Sequence, residues 1–322
     1  MRAIVTDGVG GPEVLGLGDL PDPEPGPTEI LVATVAAGVN RADLMQRQGH
    51  YPPPPGAPET IGLEASGHVA AVGDDVRGWS IGDPCVALLA GGGYAERVAV
   101  PAGQVLPAPD LDLVSAGGVV EVAATVWSNL RAGRLRPGDT FLVHGGSGGI
   151  GSFAIQYAKA LGATVITTAG SDAKLDYCRA LGADVALSYR GDWAAGVAAA
   201  TDGRGVEVIL DNMGAKYLEA NLGALALDGR LMIIGLQGGT QGTVDLGAML
   251  AKRSLVHPNS LRARPLDQKA EICAGVLRDV WPMIADGTVQ PTQETRIPLA
   301  EAARAHALLE SGENTGKVIL TV

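Results

Sequence analysis

The sequence predicts an α/β protein in two domains: a parallel, doubly wound sheet, preceded by a partly closed β-barrel or sandwich. Three observations carry that expectation. From Thr140 onward strands and helices alternate, a glycine-rich turn joins the first of those strands to its helix, and the first third instead shows short apolar runs separated by Gly- and Pro-rich turns.

In the first third, I-L-V-A-T-V (Ile30 to Val35) and H-V-A-A-V (His68 to Val72) read as strands. They are bounded by P-D-P-E-P-G-P at Pro21 to Pro27, G-D-D at Gly73 to Asp75 and G-D-P at Gly82 to Pro84. Near Val119 the pattern changes, and V-V-E-V-A-A-T-V-W-S-N-L-R-A-G places apolar residues at helical spacing. The strand T-F-L-V-H (Thr140 to His144) follows, then a glycine-rich turn, the helix S-F-A-I-Q-Y-A-K-A-L-G and the strand T-V-I-T-T (Thr164 to Thr168). K-L-D-Y-C-R-A-L-G-A repeats the helix, and D-V-A-L-S-Y, V-E-V-I-L-D and R-L-M-I-I-G add strands. Two helices end in L-G-A, where a glycine fits the left-handed cap. A helix from about Ile297 and the strand G-K-V-I-L-T-V close the sequence, and that strand is expected to return to the first domain. The expected boundaries are 1-122 with 290-322 for the first domain and 123-289 for the second.

The 322 residues are too many for one compact core and suit two domains. Hydrophobic residues make up 46% and charged residues 18%, which argues against disorder. The net charge of −11, with no basic block, argues against nucleic acid or an anionic membrane as partner. No apolar run approaches a membrane span, so a soluble, cytoplasmic protein is expected. Cys85, Cys178 and Cys273 are far apart and odd in number, which suits buried thiols better than disulfides or a zinc knuckle.

G-S-G-G-I-G (Gly146 to Gly151) fits G-x-G-x-x-G in the right context, after a strand and at the start of a helix. There Gly146, Gly148 and Gly151 permit the tight turn, the approach of a pyrophosphate and helix-on-strand packing, while Gly149 and Ile150 supply unpaired N–H groups. At the end of the second strand the sequence reads T-T-A-G-S-D-A-K. Ala169 stands where an acid would hold a ribose 2′-hydroxyl, with Ser171 and Lys174 just beyond and Tyr189 at the end of the next strand. Donors and a cation suit a 2′-phosphate, so NADPH is expected over NADH. Asp172 is the competing feature, and an acid in a helix's first turn is ordinary.

G-V-N-R-A-D-L-M-Q-R-Q-G-H-Y-P-P-P-P-G, G-L-E-A-S-G-H-V, L-L-A-G-G-G-Y-A-E and L-A-L-D-G-R resemble the medium-chain dehydrogenase/reductase superfamily. The resemblance is to its zinc-free quinone oxidoreductase branch, that of zeta-crystallin, and is nearest the tumour-suppressor-inducible type. It implies a GroES-like β-barrel domain, a Rossmann domain, NADPH in the cleft between them and a homodimer. Where zinc relatives carry Cys and His ligands, this chain has Asn40 and Leu63, neither a zinc ligand, so no metal is expected. The resemblance further implies that Asn40 lies near the nicotinamide and that Tyr51 lines the acceptor pocket, its hydroxyl serving an oxyanion or donating a proton. Met45 replaces a second tyrosine found in some relatives. Thr125, Asn212, Gly235, Leu236, Leu261 and Asn314 match cofactor-lining positions. Arg262 and Arg264 read as gating or, more simply, solvated charges, and His50 is noted for its place beside Tyr51. Glu64, an acid among small residues, is expected to be a buried anchor held by an arginine or backbone N–H groups.

Without a Lewis acid, the chemistry implied is hydride transfer to an acceptor already electrophilic, a quinone. An enone or enoyl reductase shares that chemistry. A third possibility is an NADPH-binding structural or sensor protein with little turnover.

Overall fold

The computed structural model describes all 322 residues, Met1–Val322. In chain order it contains β1 (Arg2–Thr6), β2 (Leu15–Asp19), β3 (Glu29–Val39), α1 (Arg41–Arg47), β4 (Glu64–Val72), β5 (Pro84–Leu88), β6 (Arg97–Pro101) and β7 (Val105–Pro107). Next come α2 (Leu113–Ala116), α3 (Val120–Ala132), β8 (Thr140–His144), α4 (Gly149–Ala160), β9 (Thr164–Ala169), α5 (Asp172–Ala180), β10 (Val185–Ser188) and α6 (Trp193–Ala200). The remainder is β11 (Val206–Asp211), α7 (Leu218–Ala224), β12 (Leu225–Ile233), α8 (Leu246–Lys252), β13 (Leu255–Pro258), α9 (Leu266–Asp279), α10 (Trp281–Ala285), β14 (Glu294–Pro298), α11 (Ala302–Ser311) and β15 (Lys317–Thr321).

Tertiary contacts divide the chain into two units. The first is Met1–Ala124 with Leu261–Gly287 and Pro291–Val322, and the second is Thr125–Ser260 with Thr288–Gln290. Residues 261–287, expected with the nucleotide-binding domain, thus pack in the first unit. Apolar residues at helical spacing in α9 bury Ile272, Cys273 and Val276, and Trp281 Nε1 donates to the Pro107 carbonyl at 2.8 Å.

In the first unit a sheet runs in the order β14, β15, β3, β4, β5, β7, with β6 also paired to β3. The last strand does return here: β15 pairs antiparallel with β3, Val318 opposite Val39. Strand β4 begins at Glu64, four residues before the run legible in the sequence, because Ala65, Ser66 and Gly67 carry no β-forming signal. Gly67 is required there, since a Cβ would stand 2.8 Å from the Ala33 carbonyl carbon of β3. One core gathers Ile4, Val39, Leu44, Ile61, Tyr94 and Val318, and a second gathers Ile30, Val32, Ala65, Val69, Cys85 and Val98.

The second unit has a six-stranded sheet ordered β10, β9, β8, β11, β12, β13, and every pair in it is parallel. Strand β8 is buried along its whole length, as a central strand covered on both faces must be. The order reverses between β8 and β11, so the crevice beyond their carboxyl ends is the topological switch point where such sheets bind ligands. The L-G-A signals hold: Gly162 and Gly182 follow α4 and α5 with φ of 82° and 105°.

Candidate active site

At the switch point, β8 runs into the turn Gly145 to Gly148. Gly145 takes φ 72°, its N–H donates to Thr168 Oγ1 at 3.3 Å, and the Gly146 N–H donates to the Thr168 carbonyl at 2.9 Å. A Cβ on Gly146 would reach 2.9 Å from Cys178 Sγ, and one on Gly151 would stand 2.5 Å from Gly146 Cα, so both positions exclude any other residue. Gly148 differs: its nearest neighbour to a Cβ is 3.6 Å away, and space is open in front of it. The Ser152 N–H makes the first helical bond, to the Gly148 carbonyl at 2.9 Å, so the N–H groups of Gly149, Ile150 and Gly151 precede the ladder and lack intrahelical partners. A rigid turn, a site open at one glycine and a free helix N-terminus are what an anionic pyrophosphate requires.

The turn is braced by His144, the last residue of β8. Its Nδ1 stands 3.1 Å from Thr168 Oγ1 and its Nε2 is 2.8 Å from Asn221 Oδ1. Burial pushes its pKa down to about 4, and the Asn221 hydrogen bond opposes that only in part.

One strand outward, Ala169 ends β9 without a carboxylate, and Ser171 is the N-cap of α5 with no side-chain cap bond. Lys174 lies in the first turn of α5, and Asp172 is exposed at its start. The Tyr189 N–H donates to the Ala169 carbonyl at 3.1 Å, and its ring lies over Gly170, where a Cβ would be 2.5 Å from Cζ. The ends of β9 and β10 therefore bring two hydroxyls, and a lysine beside them, to one corner of the sheet.

Beyond β11, Asn212 sits between two glycines: a Cβ on Gly145 would be 3.1 Å from its Nδ2, and one on Gly235 would be 2.8 Å from its carbonyl oxygen. Asn212, Gly235 and the turn after β8 thus meet at the carboxyl edge of the sheet, with Leu236 exposed beside them. Thr125 is buried in α3, where its carbonyl accepts from Asn129 Nδ2 at 2.8 Å. Leu261 and Asn314 belong to the first unit and join none of these groups within the second; the Asn314 amide donates to the Gly316 carbonyl at 3.3 Å, closing a turn before β15.

The first unit buries a polar group that the sequence indicates only in part. Glu64 is held as an anchor, by a backbone N–H as expected and by a lysine rather than an arginine. Its Oε1 is 2.7 Å from Lys317 Nζ and accepts from Asn40 Nδ2 at 3.0 Å, and its Oε2 accepts from the Glu121 N–H at 3.0 Å. Lys317 also donates to Asn40 Oδ1 at 2.6 Å. Gly38 is obligatory beside them, because a Cβ would stand 2.7 Å from Glu64 Cδ and 2.9 Å from Lys317 Cε.

Asn40 is the N-cap of α1. Its N–H donates to Asp43 Oδ2 at 2.7 Å, and the Tyr94 hydroxyl donates to the same oxygen at 2.9 Å while standing 3.2 Å from His306 Nε2. Burial raises the Asp43 pKa to about 7 and lowers that of His306 to about 3, the latter with a contribution from the Arg47 charge. Sequence reading passed over Asp43, Tyr94, His306 and Lys317, which are distant in the chain. Only the N-x-x-D spacing of a helix start was available to find one of them.

Arg262 overturns its reading as a solvated charge. It is 5% exposed, and donates to the Ala90 carbonyl at 2.8 Å, the Tyr51 carbonyl at 3.1 Å and Gln46 Oε1 at 2.7 Å. Its guanidinium carbon lies 5.2 Å from the centre of the half-buried Tyr51 ring. His50 is exposed, and its N–H donates to the Met45 carbonyl at the end of α1.

Leu63 is 4% exposed, and no group of three or more His, Cys, Asp or Glu is placed to hold a metal ion. The three cysteines are buried, and burial pushes their thiols up to about 12, 11 and 12 for Cys85, Cys178 and Cys273. No helix is long and apolar enough to cross a membrane.

Residues 26–110 match the family described as alcohol dehydrogenase GroES-like domain, and residues 149–265 the family described as zinc-binding dehydrogenase. Quinone oxidoreductase of Pseudomonas aeruginosa is 35% identical over 316 residues, covering 97% of this chain and 96% of the relative. Mycocerosic acid synthase-like polyketide synthase of Mycobacterium tuberculosis is 31% identical over 316 residues, 92% of this chain, which spans only 14% of that synthase. The crystal structure of Escherichia coli quinone oxidoreductase complexed with NADPH aligns over 100% of both chains with a TM-score of 0.90 and 30% identity. A GroES-like unit, a parallel Rossmann sheet and similarity along nearly the full sequence lead to one conclusion: the chain belongs to the medium-chain dehydrogenase/reductase superfamily, among relatives of the quinone oxidoreductases.

Proposed function

We propose that this protein is an NADPH-dependent reductase that transfers hydride to a quinone without a metal. The observation that carries the reading is the turn at the switch point, sterically closed at Gly146 and Gly151 and open at Gly148, with the first N–H groups of α4 beyond it. Ser171, Lys174 and Tyr189 would hold the 2′-phosphate by hydrogen bonds and charge. Thr125, Asn212, Gly235 and Leu236, and on the first unit Leu261 and Asn314, are proposed to line the rest of the cofactor. The NADPH complex of the Escherichia coli relative supports this choice.

Bound reduced nicotinamide would supply the hydride. Asn40 would orient it through its amide, and the Tyr51 hydroxyl would donate a hydrogen bond or a proton to the acceptor oxygen as negative charge develops there. Arg262 fixes the Tyr51 backbone and places a buried cation on its ring, which favours an acceptor that becomes anionic. A homodimer and a cytoplasmic location are parts of the same reading. Strand β13 is an edge of its sheet, with Leu255 exposed and with Leu246 and Leu250 exposed on α8.

A second reading, an enoyl reductase, is supported by the similarity to part of a polyketide synthase. Oxidation of NADPH measured over a panel of quinones and α,β-unsaturated carbonyls separates the two. The proposal expects a higher kcat/KM for a quinone. A higher value for an enone selects the second reading, and tight NADPH binding with no turnover on any acceptor rejects both in favour of a binding protein.

A further inference from the structure

Lys317 does more than neutralise Glu64. Its ammonium reaches Glu64 Oε1 at 2.7 Å and Asn40 Oδ1 at 2.6 Å, and Asn40 Nδ2 closes the ring by donating to Glu64 Oε1 at 3.0 Å and to the Gly38 carbonyl at 3.4 Å. An asparagine amide is nearly symmetric in shape, and only its partners decide which end is oxygen. Here the ammonium can only donate and the carboxylate can only accept. Turning the amide over would set Nδ2 against Nζ and Oδ1 against Oε1, so one orientation survives.

The ring is sealed as well as polar. Lys317, Glu64 and Asn40 are 5%, 0% and 8% exposed, and Glu64 is held from its other oxygen by the Glu121 N–H. A Cβ on Gly118 would stand 2.8 Å from Lys317 Cγ, so the lysine stem packs directly against that glycine. Burying two opposite charges is weak ground for stability, since an apolar pair of the same volume serves as well. Fixing the direction of a neighbouring amide is something an apolar pair cannot do.

We infer that Lys317 is a positioning residue that sets the direction of the Asn40 amide, and through it the alignment of the nicotinamide. The inference rests on the proposed function for the role of Asn40, and on the geometry alone for the locking of the amide.

The test uses Lys317→Met, Asn40→Ala, the double variant of these, and Lys317→Met with Glu64→Gln. With the acceptor that wild type reduces, Lys317→Met is expected to lower kcat about tenfold while the KM for the acceptor and the Kd for NADPH stay within about threefold. In the Asn40→Ala background Lys317→Met should lower kcat no further. The variant with Glu64→Gln leaves no unpaired charge, so it should regain the wild-type melting temperature without regaining kcat; it carries the test if Lys317→Met does not fold. The readout that needs no turnover is NMR of the Asn40 side-chain amide, whose protons should be protected from exchange in wild type and lose that protection in the Lys317 variants. Wild-type kcat in Lys317→Met, a further loss in the Asn40→Ala background, or unchanged Asn40 amide protection overturns the inference. A wild type that shows no NADPH oxidation with any quinone or enone of the panel sinks the proposed function alone, and the amide exchange still decides whether Lys317 sets Asn40.

Discussion

The guanidinium of Arg262 lies 5.2 Å over the ring of Tyr51 and donates from Nη1 to the Tyr51 carbonyl at 3.1 Å, so one side chain fixes both the backbone and the ring face of that residue. Its other two bonds, to Ala90 and Gln46, tie the same loop to α1 and to the residues after β5. Replacing Arg262 with Met keeps the volume and removes all three donors. We expect KM for the acceptor to rise about tenfold, with NADPH affinity within about threefold of wild type. Steady-state kinetics and cofactor fluorescence titration check this. Unchanged acceptor kinetics would mean that the loop is held by its prolines alone.

Lys174, Ser171 and Tyr189 make a different claim, about selectivity between two cofactors. Lys174→Ala should weaken NADPH about tenfold or more and leave NADH nearly unaffected, because only the former carries the 2′-phosphate. Binding titrations with both cofactors decide it, and an unaltered preference would remove Lys174 from the site.

Two glycines of the G-x-G-x-x-G stretch, Gly151 and Gly148, are predicted to fail in different ways. Gly151→Ala drives a methyl into the backbone of Gly145 and Gly146 and should cost about 1–3 kcal/mol of stability even without cofactor. Gly148→Ala meets nothing closer than 3.6 Å, so its urea midpoint should stay near wild type while NADPH affinity falls about tenfold or more. Equal losses of stability in the two variants would contradict a turn shaped for a ligand at Gly148.

His144 is held neutral by burial, with its pKa lowered to about 4 from an ordinary 6.5. The fold therefore favours the unprotonated ring, and its contribution is complete above about pH 6.5 and lost as pH falls toward 4. The slope is about 1.4 kcal/mol per pH unit. His306 acts in the same sense, and Asp43, raised to about 7, acts oppositely, losing its contribution as pH rises from 3.8 through 7. Urea unfolding of wild type and His144→Gln at pH 7 and pH 5 isolates the first effect: the stability difference between the two proteins should narrow at pH 5. A constant difference would show that the fold leaves the ring's pKa at its ordinary value.

Much of the second unit was legible in the sequence because its signals are local. The strand of β8, the turn glycines and the first L-G-A cap all lie within about twenty residues of one another, and each has a steric meaning on its own. The first unit was legible only where apolar runs stood between turns. Strand β4 begins in small residues whose fitness for a sheet depends on Ala33 across the strand, and α9 packs with the barrel through contacts that no neighbouring residue announces. The partners of Glu64 show the limit most clearly. A buried carboxylate demands a donor, and that requirement is readable, but the donor lies 253 positions later in Lys317, past an entire domain. Arg262 was misread for the same reason, since three neutral acceptors from separate loops give no charge pattern to find.

The ammonium beside Asn40 also sets the terms for anyone wishing to redesign this barrel as a metalloenzyme. Installing Cys at position 40 and His at position 63 would restore two side chains and leave the Glu64-paired ammonium, now 2.6 Å from the Asn40 amide oxygen, to compete with a metal for the new thiolate. Such a design needs a third change, at Lys317, before zinc would find the site hospitable.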